Sequence, residues 1–118
     1  MIHGRKFNHL GRPSSHRKAV LKNLAISLIT NKKIVTTLAK AKAARKFVEG
    51  VINLSKDDSM HSRRLAFSKL GNKNATKELF DNISKKISHR NGGYTRILKM
   101  QPRWADNAKM AIFSLVDF

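Results

Sequence analysis

Apolar residues recur at helical spacing between positions 15 and 30 and form one continuous stripe. The stripe consists of Val20, Leu21, Leu24, Ala25 and Leu28. Because residues three and four apart share one face of an α-helix, the pattern predicts a first helix with that face against a core. Ser14 and Ser15 are typical residues at a helix start, and Asn31 can end the helix in a left-handed conformation.

A short strand and a second helix are predicted next. β-Branched residues at positions 33–37 favour the strand, and Thr37 can cap the helix that follows. The buried stripe of this helix is predicted to be Leu38, Ala41, Ala44, Val48, Val51, Ile52 and Ser55. Its first half is crowded with the cations Lys40, Lys42, Arg45 and Lys46. Because positive charge near a helix N-terminus opposes the helix dipole, we expect these cations to have a role outside the helix.

The second half of the chain predicts two more helices and two strands. A third helix starts after a cap at Asp58 or Ser59, places Leu65 on its apolar stripe and ends at Gly71. A turn at 72–74 leads to a fourth helix with the stripe Leu79, Phe80, Ile83 and Ile87. Residues 94–100 and 110–116 have strand composition, and the loop between them, 101–109, is too long for a tight hairpin.

These elements predict an α+β fold. We expect a small two-layer α/β domain at residues 14–118, with about four helices packed on a short mixed sheet of about three strands. Residues 1–13, which contain two glycines, a proline and three cations, are predicted to form an extended basic arm.

Charge is distributed very unevenly along this chain. It has 118 residues, with 25 Lys and Arg against 7 Asp and Glu, and a formal net charge of +18. The first acidic residue is Glu49, and twelve Lys or Arg precede it. Unopposed like charge destabilises a compact state, so a half-chain of this kind requires a polyanion as its partner. We therefore expect the basic half to lie on nucleic acid.

Other function classes find little support in the residues. The few carboxylates are scattered, and no motif of a nucleotide-binding loop, nucleophile elbow or zinc protease is present, so we predict no catalytic residue and no cofactor. Cysteine is absent, and His3, His9 and His16 make a poor metal site. No membrane span or signal region is expected, nor a small-molecule substrate. Because charged and turn-forming residues begin at His3 and leave no room for a presequence, we favour a cytoplasmic bacterial protein over an imported mitochondrial one.

Three rings beside arginines are candidates for stacking on unpaired RNA bases. His16 precedes Arg17, and Tyr94 and Trp104 lie near Arg96 and Arg103, respectively. Packing within a strand is an equally good explanation for Tyr94. A helix-turn-helix is disfavoured because about six β-like residues separate the first two helices. A nucleoid-type DNA-binding protein and an RNA chaperone or assembly factor stay open as alternatives.

Five segments, in order along the chain, resemble the bacterial L17 family of large-subunit ribosomal proteins. They are GRPSSHRKA at 11–19, TTLAKAK at 36–42, RRLA at 63–66, GGYTRILK at 92–99, and MAI at 110–112 closing with LV at 115–116. The resemblance implies a structural protein that binds 23S ribosomal RNA near the polypeptide exit region, with other ribosomal proteins as neighbours. It implies no enzymatic activity.

Residue by residue, the resemblance and the charge pattern give one set of expected RNA contacts. The set comprises Arg5, Lys6, Arg12, His16, Arg17, Lys18, Lys40, Lys42, Arg45, Arg63, Arg64, Tyr94, Arg96, Arg103 and Trp104. Trp104 departs from the family, in which a small residue is common at that position. Its role is therefore inferred from this sequence alone.

Overall fold

The computed structural model describes residues 14–118, so the predicted arm, with Arg5, Lys6 and Arg12, lies outside the described residues. In chain order the elements are α1 (Ser14–Asn31), β1 (Lys33–Thr37), α2 (Leu38–Leu54), α3 (Met60–Leu70), α4 (Lys73–Glu78), a π-helical segment (Leu79–Ile83), α5 (Ser84–Ile87), β2 (Thr95–Lys99) and β3 (Met110–Leu115). Because α4, the π-helical segment and α5 are continuous, the described residues form four helical stretches and three strands. The predicted α+β class is confirmed.

Most helix ends follow the predicted capping residues. Thr37 accepts a hydrogen bond from the Lys40 backbone N–H at 3.3 Å, and Ser59 accepts one from Ser62 at 3.1 Å. Gly71 ends α3 at a φ of 66°, a conformation that glycine adopts without strain. The predicted turn at 72–74 is wrong: the Asn72 side chain caps α4, so the helix already begins at Lys73.

The three strands form one antiparallel sheet in the order β1-β3-β2. The prediction of a mixed sheet is therefore wrong. The helices between β1 and β2 return the chain so that these two strands run the same way, but β3 inserts between them in the opposite direction. No parallel pair is formed within the described sheet. The alternation predicted for β3 is confirmed, since Ala111, Phe113 and Leu115 are buried.

One hydrophobic core lies between the inner face of the sheet and the helices. It contains the predicted stripe of α2 from Ala41 to Ile52, and Leu28 from α1. The prediction for Leu65 is wrong: this side chain is 37% exposed, because the buried face of α3 consists of Ser62, Ala66 and Leu70 at four-residue spacing. In the π-helical segment, Leu79, Phe80 and Ile83 are all buried.

Lys32 joins three parts of the fold at the end of α1. It takes the left-handed conformation predicted for Asn31, with a φ of 68°, and its backbone N–H donates to Leu28 O. Its Nζ donates to Ile29 O and to Glu78 Oε1, both at 2.8 Å. The left-handed turn therefore comes one residue later than predicted, at the residue whose side chain also contacts the last carbonyl groups of α1 and reaches α4.

Glu78 stabilises the fold through this junction. Hydrogen bonds from Lys32 and Asn82 hold the pKa of the Glu78 carboxyl below its usual value. A lowered pKa in the folded state means that the stabilisation is complete above the unfolded-state pKa and is lost as the pH falls through the folded-state pKa.

We predict that Glu78→Gln lowers the free energy of unfolding at neutral pH by about 1 kcal/mol, because a charge-assisted hydrogen bond is weakened. The difference from the parent should shrink in acid, where the parent carboxyl is also neutral. Urea unfolding at neutral and acidic pH measures both effects. Asp57→Asn, at an exposed loop carboxylate, is the control. A difference that is constant across pH would contradict the role of the Glu78 charge.

Candidate nucleic-acid interface

The first turns of α1 carry three of the predicted contact residues. His16 and Lys18 are exposed, whereas Arg17 is half-buried. The buried residues of this helix, Ala25, Leu28 and Ile29, lie in its second half. The start of α1 is therefore the part of the helix that faces outward, and it presents positive charge there.

The predicted cations of α2 lie opposite its buried stripe. Lys42 and Arg45 are exposed and Lys40 is half-buried, while Ala41 and Ala44 are fully buried between them. No acidic residue occupies the first turn of α2 to balance them. The helix therefore uses its apolar face for the core and its solvent face for cations.

The start of α2 also contacts the β2–β3 hairpin, residues 95–115. The Leu38 backbone N–H donates to Lys109 O at 2.9 Å, and Lys42 and Lys109 line one shallow hollow. Lys109 was missed in the sequence analysis, because nothing in the local pattern indicates that the end of this loop meets the start of α2. Only the tertiary fold brings these two amines to one surface.

Most carboxylates accept hydrogen bonds from residues outside α1 and α2. Arg63 donates to Asp58 at 2.6 Å and to Asp81 at 3.2 Å, and its guanidinium lies over the Phe80 ring at 4.9 Å. The hydrogen bond from Arg63 holds the pKa of Asp58 below its usual value. Six of the seven carboxylates accept side-chain or backbone hydrogen bonds: Glu49, Asp58, Glu78, Asp81, Asp106 and Asp117.

Three lysines of α1 and α2 therefore have no carboxylate beside them in the described chain. Within the part of the chain that the structure describes, no carboxylate oxygen lies within 4.0 Å of Lys18, Lys40 or Lys42. Arg45 is 4.0 Å from Glu49, the limit of an ion pair. Arg63 differs from these residues, because its charge is already satisfied by two carboxylates. The sequence pattern placed cations with and without a carboxylate partner in one set, and the structure distinguishes them.

Tyr94 is a core residue, so the expectation that its ring stacks on RNA is wrong. The side chain is only 2% exposed, and its hydroxyl donates to Asn53 Oδ1 at 3.1 Å. Lys56 Nζ lies 5.2 Å from the ring centroid. The packing alternative is the one that the structure shows.

The other predicted contacts are exposed but do not form one cluster with α1 and α2. Arg64 lies on the solvent face of α3, and Arg96 lies on the outer face of the sheet in the same row as Lys33. Arg103 and Trp104 lie at the tip of the β2–β3 hairpin, where Trp104 is 99% exposed. Lys33 is one of several exposed cations that the predicted set of contacts does not contain.

Neither a metal site nor a membrane span is found in the described chain. Residues 14–118 contain no group of three or more His, Cys, Asp or Glu side chains placed to bind a metal ion. Among the same residues, no helix is long and apolar enough to cross a membrane.

Fold and surface together define a small, strongly basic α+β protein with cations at the exposed starts of two helices. Residues 20–116 match the family of ribosomal protein L17. The large ribosomal subunit protein bL17 of Porphyromonas gingivalis is 57% identical over 118 residues, which are 100% of this chain and 74% of that protein. The proteins of the same name from Bacteroides fragilis and Amoebophilus asiaticus are 57% and 55% identical, and this chain covers 73% and 61% of their lengths.

The chain belongs to the ribosomal protein L17 family, as the five segments imply. The predictions of a structural protein without enzymatic activity and of a cytoplasmic place in the ribosome are thereby confirmed. The family also disfavours the nucleoid protein that the sequence left as an alternative.

A substitution at Tyr94 separates its structural role from RNA binding. We predict that Tyr94→Phe costs about 1 kcal/mol of unfolding free energy, because the hydrogen bond to Asn53 is lost. Its affinity for RNA at folded temperatures should equal that of the parent. Denaturant unfolding and filter binding measure the two properties. Weaker RNA binding with unchanged stability would restore Tyr94 as a contact.

Proposed function

We propose that this chain is a structural constituent of the large ribosomal subunit that binds folded 23S ribosomal RNA through α1 and α2. The observation that carries the proposal is the group of cations at the starts of these helices: no acidic residue occupies the first turn of either helix, and Lys18, Lys40 and Lys42 have no carboxylate oxygen within 4.0 Å among the described residues. Neutralising phosphates with such cations releases counterions, which supplies most of the affinity.

The fold gives these cations fixed positions. The buried face of α2 packs on the core, its start is capped by Thr37, and the Leu38–Lys109 hydrogen bond ties it to the hairpin. Rigid backbone positions reduce the entropy that would be lost when phosphates are bound. RNA in turn stabilises the fold, since it relieves the repulsion among cations and binds the folded arrangement more tightly than the unfolded chain.

The proposed contacts follow the sequence expectations with three changes. Tyr94 is removed and Lys109 is added; Arg63 and Arg103 are retained only as secondary candidates because carboxylates already pair with them. The proposed primary set is His16, Arg17, Lys18, Lys40, Lys42, Arg45 and Lys109, with Arg64, Arg96 and Trp104 as further candidates on other faces. Arg5, Lys6 and Arg12 stay in the proposal from sequence alone. The location near the exit region, with protein neighbours there, follows from the family resemblance.

DNA binding through a helix-turn-helix has no support in the fold. Strand β1 separates α1 from α2, whereas that motif joins its helices by a short turn. An assembly factor that leaves the mature particle is the second candidate. It would differ from a structural constituent in being absent from mature large subunits.

Sedimentation tests the proposal directly. We expect the chain to remain with purified large subunits through a high-salt sucrose gradient, because many phosphate contacts act together. Presence on precursor particles but not on mature subunits would favour the assembly factor. Release to the top of the gradient from both would contradict the proposal.

Loss of one contact should change the salt dependence in a defined way. We predict that Lys42→Ala weakens binding to large-subunit RNA and reduces the slope of log affinity against log salt by about one unit, since one phosphate contact is lost. Lys85→Ala removes the same charge from α5, outside the proposed surface, and serves as the matched control. Equal slopes for the two variants would exclude Lys42 from the interface.

A further inference from the structure

The tip of the β2–β3 hairpin has a feature that charge alone does not explain. Trp104 lies there with 99% of its surface exposed, and it is the one tryptophan in the chain. Tryptophan is on average a highly buried residue, because its large ring gains much from leaving water. In this protein the indole ring is not packed in the hydrophobic core.

The backbone on either side of Trp104 is held by a closed set of hydrogen bonds. Arg103 donates to both carboxylate oxygens of Asp106, at 2.9 and 3.0 Å, and Asp106 also accepts from the Ala108 N–H at 3.2 Å. The Asn107 N–H donates to Arg103 O at 2.7 Å, and the Arg103 N–H donates to Ala108 O at 2.8 Å. The side-chain pair Arg103–Asp106 therefore closes the turn that contains Trp104, and we call this pair the clasp.

The charge around the tip matches a nucleic acid better than a protein pocket. Lys99 and Lys109 are exposed at the two sides of the hairpin, and Lys109 shares its hollow with Lys42. A base that meets the indole has phosphates on either side of it, for which these amines are suitable partners. A second copy of this chain would bring like charge to the same place.

We propose that Trp104 stacks on an unpaired base of the bound RNA and that Arg103 and Asp106 are the positioning residues that present it. This inference rests on the proposed function. It gives Arg103 the role of a clasp in place of a phosphate contact. An unpaired base offers a free ring face to the indole, whereas both faces of a base within a duplex are covered by its neighbours.

The single tryptophan makes the stack directly visible. The probes are a short oligoadenylate and a long adenylate–uridylate duplex, each titrated into the full chain while tryptophan emission is recorded. We expect quenching by the single strand and little change with the duplex, although both bind through the cations. Equal quenching by the oligoadenylate and the duplex, or RNA binding without quenching, would overturn the proposal. Contact of the indole with a neighbouring protein would then be the better explanation.

Substitutions at Trp104 test whether the stack contributes to affinity. Trp104→Leu should bind the oligoadenylate roughly tenfold more weakly, as expected for one lost base–aromatic stack, with an unchanged salt slope. Trp104→Phe should retain most of the affinity, because a flat ring is kept. Equal affinities for the leucine and parent chains would contradict the proposal.

The clasp is tested with Asp106→Asn, since the two possible roles of Arg103 predict opposite results. If Arg103 positions the indole, Asp106→Asn and Arg103→Ala each weaken oligoadenylate binding, and the double variant is no weaker than either. If Arg103 contacts a phosphate, Asp106→Asn releases its charge and tightens binding, which would overturn the clasp.

Anisotropy of labelled RNA reads binding independently of the indole. Binding of RNA without quenching of the tryptophan emission would contradict the stacking of Trp104 and leave the proposed function in place. A chain that binds neither RNA and is absent from large subunits removes the proposed function, and this inference with it.

Discussion

The scarcity of carboxylates is the constraint on which the rest of this molecule depends. With 7 acidic residues for 25 basic ones, the carboxylates can pair with only a minority of the cations. Glu78 is used at the end of α1, Asp58 and Asp81 hold Arg63, and Asp117 accepts from Arg90. None of these pairs involves the first turns of α1 or α2. The proposed RNA-binding surface is defined as much by where negative charge is missing as by where positive charge is placed.

The small number of carboxylates also explains why the interior contains few ionic groups. The core is built from aliphatic side chains, Phe80, Phe113 and Tyr94, and its polar members are mostly Ser and Thr that bond to nearby backbone, such as Ser84 to Phe80 O. A buried cation would need a carboxylate, and this chain has none to spare. Apolar packing and local hydrogen bonds therefore hold the helices, and the cations remain at the surface.

Much of the fold could be predicted from the sequence because its signals are local. The period of apolar residues in α2, the cap at Thr37 and the alternation in β3 each depend on neighbours within a few positions. The direction of the sheet, the left-handed turn at Lys32 and the association of Lys109 with Lys42 depend on residues far apart in the chain. The burial of Tyr94 belongs to the second group, since its partner Asn53 lies 41 residues away. The sequence could predict which cations are candidates for RNA contacts. Only the tertiary structure could show which of them are paired with carboxylates.

The position of β3 at the centre of the sheet has a consequence for the growing chain. Strands β1 and β2 each bond to β3 and not to each other, yet β3 is the last of the three to be synthesised. No part of this sheet can form until residues 110–115 have left the translating ribosome, and the Lys109 carbonyl that ties down α2 emerges just before them. The basic half of the chain is thus exposed to cellular RNA before its scaffold exists. Only when the last strand has formed are the cations held in fixed positions, so that nonspecific attraction to any polyanion can give way to specific binding.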